Sequence, residues 1–181
     1  MLGSHPLSGV DPGDQNEKES NMKFEIRELR EGDLAYLSWN LRAADVMEIH
    51  ALRGTFDPLG PLQDSANQST DTSVFVGMDG KPFMIVGMAP QGDSGIIWGV
   101  ATPEVKKYRR VFLRASQDTI RGWFEKYPQC ETLFNFTYAA NVVHHNWLRM
   151  VGAKLLSEVP LGPEGKPFKP FVIDRETACA Q

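Results

Sequence analysis

Hydrophobic and polar positions along the chain alternate in a way that predicts one continuous α/β unit. Phe24, Ile26 and Leu29 indicate a first strand. Apolar residues at helical spacing over 34–52, with Asp33 at the N-cap position, predict one or two amphipathic helices. Residues 54–71 are rich in Gly, Pro, Asn, Gln and Ser, a composition that predicts a loop.

The middle of the chain reads as a three-strand meander followed by a long helix. The strands are predicted at 73–78, 82–88 and 95–101, and Asp79-Gly80 is a strong hairpin signal between the first two. The helix is predicted from Pro103 to about Tyr127, where Pro128 ends it. Its sheet-facing stripe comprises Val105, Tyr108, Phe112, Ala115, Ile120 or Thr119, and Trp123.

The last third predicts a strand, a short capped helix and two further strands. The first strand is expected at 132–138, and Asn141 is a good N-cap for the helix that follows. Val143, Trp147 and either Met150 or Val151 form the expected apolar stripe, and Gly152 fits the C′ position. The last two strands are predicted at 154–159 and 167–173.

This order of elements and the motif at 141–153 resemble the GNAT N-acetyltransferases. The matching residues are Asn141, His144, Trp147, Leu148, Arg149, Val151, Gly152 and Ala153. Within that superfamily the motif is similar to a small family of podoviral phage proteins typified by internal virion (core) protein A. The resemblance covers about 24–173. It implies an α/β (α+β) fold, a mixed central sheet of about six to seven strands flanked by about four helices.

The resemblance also implies a site for acyl-CoA. The residues it would place there are Val100, Lys106, Lys107, Arg109, Arg110, Asn141 and Trp147. Two departures from the family pattern count against acetyl transfer from CoA. The expected phosphate loop, 103–110, contains no glycine, although a glycine lets the backbone approach phosphate groups. Leu148 stands where active members commonly carry a tyrosine that protonates the departing thiolate.

Glu48 and His144 are the weak candidates for acid–base catalysis. Glu48 lies with His50 on the second helical region, which borders the acceptor pocket in the superfamily; its alternative is a solvated helix face. The alternative for His144 is a hydrogen-bonded spacer, and His145 is expected to be exposed. Trp98 could line a pocket or belong to the core. No metal-ligand spacing is present, so no metal site is expected.

Two main functions follow from these features. The first is a phage internal virion or morphogenesis protein on a degenerate acetyltransferase fold that requires no cofactor and contacts other virion proteins. It would lie in the host cytoplasm during infection or in the virion interior. The alternative is an active N-acetyltransferase that uses acetyl-CoA on a protein or small amine. A weaker third is a factor that sequesters a host protein.

Charge and composition indicate the domain limits and the kinds of partner that the protein could bind. The net charge of −4 is concentrated in residues 1–21, a Gly-, Pro- and acid-rich stretch expected to be a disordered tail, with Met22 as the hypothetical native start. The domain is expected to span 22–174 and a C-terminal tail 175–181. Residues 103–154 carry nine Lys and Arg against four acids, a basic patch suited to phosphates or acidic surfaces, although nucleic acid is not the expected partner. Cys130 and Cys179 are expected to be free thiols, and no membrane segment is predicted.

Overall fold

The computed structural model describes residues 23–180 and consists of a mixed sheet with helices on both faces. Its strands are β1 (Glu25–Arg27), β2 (Asp71–Val76), β3 (Pro82–Gln91), β4 (Ser94–Ala101), β5 (Thr132–Tyr138), β6 (Lys154–Leu155), β7 (Val159–Leu161) and β8 (Lys166–Asp174). Its helices are α1 (Asp33–Asn40), α2 (Ala43–Arg53), α3 (Leu59–Gln68), α4 (Arg109–Lys126), α5 (Val142–Met150) and α6 (Arg175–Cys179). A 3₁₀ helix, Pro103–Tyr108, leads into α4.

The sheet has the order β1-β2-β3-β4-β5-β8-β6, with β7 also paired to β8. Neighbouring strands are antiparallel except for β4 and β5, which are parallel. The parallel pairing covers only three residues of each strand and ends at Ile96 opposite Phe134. Both strands continue beyond that point, so a gap opens between them in the middle of the sheet.

The core lies in two layers, one on each face of the sheet. The larger cluster packs α4 and the 3₁₀ helix against the sheet, and the predicted stripe supplies Val105, Tyr108, Phe112, Ile120 and Trp123 to it, all buried. The smaller cluster joins Leu37 of α1 to Val74, Val76 and Ile85 on the opposite face. Side chains that alternate along β2 and β3 therefore serve both layers.

Strand β5 and helix α5 have the boundaries that their sequence predicts. The Asn141 side chain accepts a hydrogen bond from His144 N at 3.3 Å, and Gly152 ends the helix with φ of 90°. The predicted stripe of α5 is partly wrong: Val143 is 66% exposed, and Val151 rather than Met150 is buried. His145 and Leu148 face the core instead, and Trp147 lies at the side of this buried face.

Two local predictions before β2 are wrong. The predicted loop 54–71 contains α3, whose start is stabilised when Asp57 accepts a hydrogen bond from Leu59 N at 3.1 Å, and whose Leu62 is buried. Asp33 is not an N-cap. It is the first residue of α1, after Gly32, and its carboxylate binds Arg27 at 2.7 Å.

The last strand region also differs from its prediction. Residues 154–159 form no single strand, because β6 ends at Leu155 and β7 begins at Val159. After β8 the chain forms α6, which packs against α4, and the Arg175 guanidinium donates to the carbonyls of Phe124, Tyr127 and Cys130. The predicted tail 1–21 and the start at Met22 lie outside the described residues.

Over 23–180, no helix is both long and apolar enough to cross a bilayer. The same residues contain no group of three or more His, Cys, Asp or Glu that could hold a metal ion. Both cysteines are free thiols, as predicted, with Cys130 buried and Cys179 exposed.

Candidate active site

A cavity of about 340 Å³ lies where β4 and β5 separate. Helices α2 and α3 form its wall on one face of the sheet, and α4 and α5 on the other. The predicted residues that line it are Glu48, Trp98, Val100, His144 and Trp147. The gap in the sheet thus brings together side chains that are far apart in the sequence.

The polar centre of this wall is a hydrogen-bonded cluster around Glu48. Glu48 Oε2 accepts hydrogen bonds from Asn141 Nδ2 at 2.9 Å and from Thr137 Oγ1 at 3.2 Å. Thr137 Oγ1 is also 3.2 Å from His144 Nδ1, which lies 3.8 Å from the same carboxylate oxygen. The Glu48 side chain is only 17% exposed, so the solvated helix face is excluded for this residue.

The environment of Glu48 favours its charged form. Burial opposes ionisation, but the hydrogen bond and charge of His144 and the hydrogen bonds from Asn141 and the Tyr138 backbone outweigh it, and the pKa of Glu48 is lowered. Thr137 has one hydroxyl proton, which it donates to this carboxylate. Its oxygen is then an acceptor for a proton on His144 Nδ1, which leaves Nε2 as the ring nitrogen able to take up a further proton.

The prediction that His145 is exposed is wrong. His145 is 4% exposed, and its Nε2 lies 3.1 Å from the carbonyl oxygen of Tyr138. Burial lowers the pKa of His145 and thereby favours its neutral form. His144 is the one that faces the cavity. His50 does not line it and stacks on Phe56, with ring centroids 3.7 Å apart.

The exposed edge of β4 adds backbone groups to the site. Ile97 O accepts a hydrogen bond from the Asn135 side chain at 2.7 Å, and Ala101 N donates to Asp45 Oδ2 at 2.8 Å. Peptide groups alternate in direction along a strand, so Gly99, between these two residues, also directs its N–H and C=O into the gap. Val100 contributes its side chain to the cavity, while its peptide groups face β3.

Trp98 and Trp147 stand on opposite sides of the gap. The indole N–H of Trp98 donates to Ser69 Oγ at 2.8 Å, and Gly87 makes room for it, because a Cβ there would lie 2.4 Å from Trp98 Nε1. Trp147 stacks on Phe112 with centroids 6.0 Å apart. Its Nε1 is buried without a hydrogen-bond partner among the described residues, so a donor is available beside the cavity.

The predicted phosphate loop has a different structure from a glycine-rich cradle. It forms the 3₁₀ helix, and Thr102 Oγ1 accepts a hydrogen bond from Glu104 N at 3.3 Å, which occupies one amide at its start. Lys107 is paired with Glu104. Lys106, Arg109 and Arg110 are exposed and do not line the cavity. A phosphate group here would meet side-chain charge more than backbone N–H groups.

The basic patch is weaker than its count of charges indicates. Ion pairs among the described residues join Lys107 to Glu104, Arg121 to Asp118, Lys126 to Asp71 and Lys154 to Asp174. Two of these acids, Asp71 and Asp174, lie outside the segment over which the charge was counted. Part of the charge counted in residues 103–154 is therefore neutralised by acids elsewhere in the chain.

Two site residues have no signal in the sequence. Thr137 is fully buried in β5 and links Glu48 to His144, but it resembles any other polar residue within an alternating strand. Asp45 is buried and holds both Arg42 and the Ala101 amide, so it joins α2 to the end of β4. The Asp45–Ala101 contact spans 56 positions and the Thr137–Glu48 contact spans 89, so local sequence patterns cannot predict either one.

Sequence comparison finds no matching protein-family model and no matching curated protein. Comparison of structures finds several acetyltransferases. A spermidine N-acetyltransferase from Vibrio cholerae in complex with CoA and spermine aligns with a TM-score of 0.60 at 12% identity, covering 86% of this chain and 98% of that one. A GNAT-family acetyltransferase from Bacillus anthracis gives a TM-score of 0.63 at 15% identity, covering 86% and 98%.

The aminoglycoside acetyltransferase AAC(6')-Ib in complex with CoA and kanamycin aligns with a TM-score of 0.63 at 15% identity, covering 88% of this chain and 99% of that one. At these identities the likeness establishes the fold. The chain therefore has the predicted GNAT fold, with an eight-stranded sheet and six α-helices over the part that the structure describes.

Proposed function

We propose that this protein is an acyl-CoA-dependent N-acyltransferase. The observation that carries the proposal is the linked group Glu48, Thr137 and His144 beside a cavity at the point where β4 and β5 separate. A histidine held by a hydroxyl and a buried carboxylate is an arrangement suited to proton transfer. The finding of the same fold in acetyltransferases bound to CoA and amines supports the enzymatic alternative over a purely structural role.

The residues at the gap fit the acyl arm of acyl-CoA. Gly99 offers backbone hydrogen-bonding groups at the separated edge of β4, and Trp147 offers a buried indole N–H that has no partner. The diphosphate end would rest on Lys106, Arg109 and Arg110 at the start of α4. When bound, acyl-CoA would supply an activated acyl thioester.

The chain's own part in the chemistry is to remove a proton from the incoming amine. His144 Nε2 is the group that takes it, since Nδ1–H is held by Thr137. The resulting imidazolium faces Glu48 at 3.8 Å, which stabilises the positive charge. Leu148 is buried and cannot donate a proton, and no tyrosine lines the cavity among the described residues. A thiol has an ordinary pKa of about 8.5, so departure as a thiolate needs no dedicated acid.

The phage internal virion protein stays a prediction that rests on the motif at 141–153. Asn141 and His144 of that motif contact Glu48 beside the cavity, and this supports a catalytic role for them over a purely structural one. Virion partners and a host-protein target likewise remain predictions. Particles that lack the protein yet assemble and infect normally would contradict the virion role.

The proposed function is tested by calorimetric titration of acetyl-CoA. We expect micromolar affinity that weakens with added salt, because phosphate contacts are screened. Lys106→Glu should weaken binding about tenfold, whereas the control Lys166→Glu, at the partly exposed start of β8 and outside the cavity lining, should leave it unchanged. No binding to the wild-type protein at millimolar acetyl-CoA would contradict the proposal.

A further inference from the structure

Helix α2 presents one continuous stripe to the cavity. The residues of the stripe are Asp45, Glu48, Ile49, Leu52 and Arg53, at the spacing of one helical face. Along the helix the stripe passes from two carboxylates, through two apolar side chains, to a cation. Glu48 and Arg53 are five residues apart, which corresponds to about 7.5 Å along the axis.

The walls opposite the middle of this stripe are apolar. Leu62 of α3, Trp98 of β4 and Phe136 of β5 line the same cavity. The position of the Trp98 ring is fixed, because its N–H donates to Ser69 Oγ, which in turn donates to Ser65 O at 2.8 Å. The cavity therefore has a rigid apolar section between its acidic and basic ends.

The carboxylates of the stripe are already occupied. Asp45 accepts hydrogen bonds from the Arg42 guanidinium at 2.7 and 3.0 Å and from Ala101 N. Glu48 is held by Asn141 and Thr137 and faces His144. Arg53 is exposed and forms no ion pair within the described chain. A polyamine would bring several ammonium groups into a cavity without free carboxylates and with a cation at one end, an unfavourable arrangement.

We propose that the amine acceptor is a small molecule with a single primary amine, an apolar body and an anionic group at its far end. This inference rests on the proposed function. The amine would lie by His144 and Glu48, the body between Leu52 and Trp98, and the anion at Arg53. Because the apolar residues Ile49 and Leu52 lie between Glu48 and Arg53 on the stripe, an ω-amino acid, whose methylenes separate its amine from its carboxylate, fits this order of groups.

The test is calorimetric binding of three probes to the whole protein: 6-aminohexanoate, hexylamine and spermidine. We expect 6-aminohexanoate to bind tightest. Arg53→Met should weaken it about fivefold, the scale of a solvent-facing ion pair, and leave hexylamine unchanged. Arg149→Met is the matched control, since Arg149 is exposed on α5 and does not line the cavity, and it should change neither affinity.

Tighter binding of spermidine, an unchanged 6-aminohexanoate affinity in Arg53→Met, or no binding of any probe would overturn the inference. The readout is binding, so it is independent of turnover. The expected amine selectivity together with no binding of acetyl-CoA would support the acceptor class and contradict the acyltransferase proposal, which keeps the two failures distinct.

Discussion

Asn141 has two roles, and replacement by serine or by aspartate separates them. Its Oδ1 caps α5, while its Nδ2 donates to Glu48 at 2.9 Å. Serine and aspartate are both good N-caps, so either variant keeps the helix start. Serine removes the donor to Glu48. Aspartate puts a second carboxylate in its place.

The expected energies differ between the two variants. Loss of the hydrogen bond to a buried carboxylate in Asn141→Ser should cost about 1–3 kcal/mol of unfolding free energy. In Asn141→Asp two charges would lie about 4 Å apart, a repulsion of about 4 kcal/mol at an effective dielectric constant of 20. Side-chain movement relieves part of it. We therefore expect Asn141→Asp to be about 2 kcal/mol less stable than Asn141→Ser at pH 7.5.

The pH dependence gives the sharper comparison. The pKa of Glu48 is lowered in the folded protein, because the contacts of His144 and Asn141 outweigh its burial, so in the wild type its contribution to stability is present above its unfolded pKa and is lost as pH falls through the folded value. In Asn141→Asp the repulsion instead disfavours the charged pair. Its cost is full at pH 7.5 and is relieved as acid protonates the pair.

Urea unfolding from pH 7.5 to pH 4 measures this difference. The gap between the aspartate and serine variants should shrink on acidification. Equal stability of the two at pH 7.5, or a gap that stays constant with pH, would refute the placement of Asn141 against Glu48. The linear extrapolation is suited to a single domain of this size.

Three further predictions concern Glu48, the packing of Trp98 and the burial of Cys130. Glu48→Gln should lower kcat/KM for acyl transfer about 100-fold, because the carboxylate that faces His144 and accepts from Thr137 and Asn141 is gone; an unchanged kcat/KM would exclude its role. Gly87→Ala should cost about 1–3 kcal/mol in urea unfolding and shift the fluorescence of Trp98, since the added Cβ meets its indole; a silent substitution would contradict the packing. Burial raises the pKa of the Cys130 thiol, so a thiol reagent at pH 8 should modify Cys179 quickly and Cys130 only on unfolding, as counted by intact mass; equal rates would contradict this burial.

The sequence predicts best where local signals agree. The Asn141 cap, the Gly152 stop and the alternating strand before them define the β5-α5-β6 unit, and all are confirmed. α3 escapes prediction because its composition is typical of a loop. One buried apolar residue, Leu62, and contacts of the helix with α1 and β3 stabilise it. The tertiary contacts outweigh the low helix propensity of Gly and Asn there.

The sequence identifies single residues of the candidate site but does not predict that they lie together. Glu48 and His144 stand out as titratable groups on helices, but their meeting depends on a contact across 93 positions with Asn141 and on Thr137. The predicted exposure of His145 is wrong because adjacent residues on a helix are about 100° apart, so an error of one position in the buried face moves a side chain from solvent to the core. The charge of residues 103–154 is overestimated because two of its acidic partners lie elsewhere in the chain.

The central claim is that the gap between β4 and β5 holds the acyl arm of acyl-CoA beside His144. A crystal structure of the protein with acetyl-CoA tests it most directly. We predict that the thioester lies in the gap, within hydrogen-bonding distance of the Gly99 peptide, and that the diphosphate lies by Lys106 and Arg110. Crystals grown with millimolar acetyl-CoA that show an empty gap, or the ligand bound on another surface, would contradict the account.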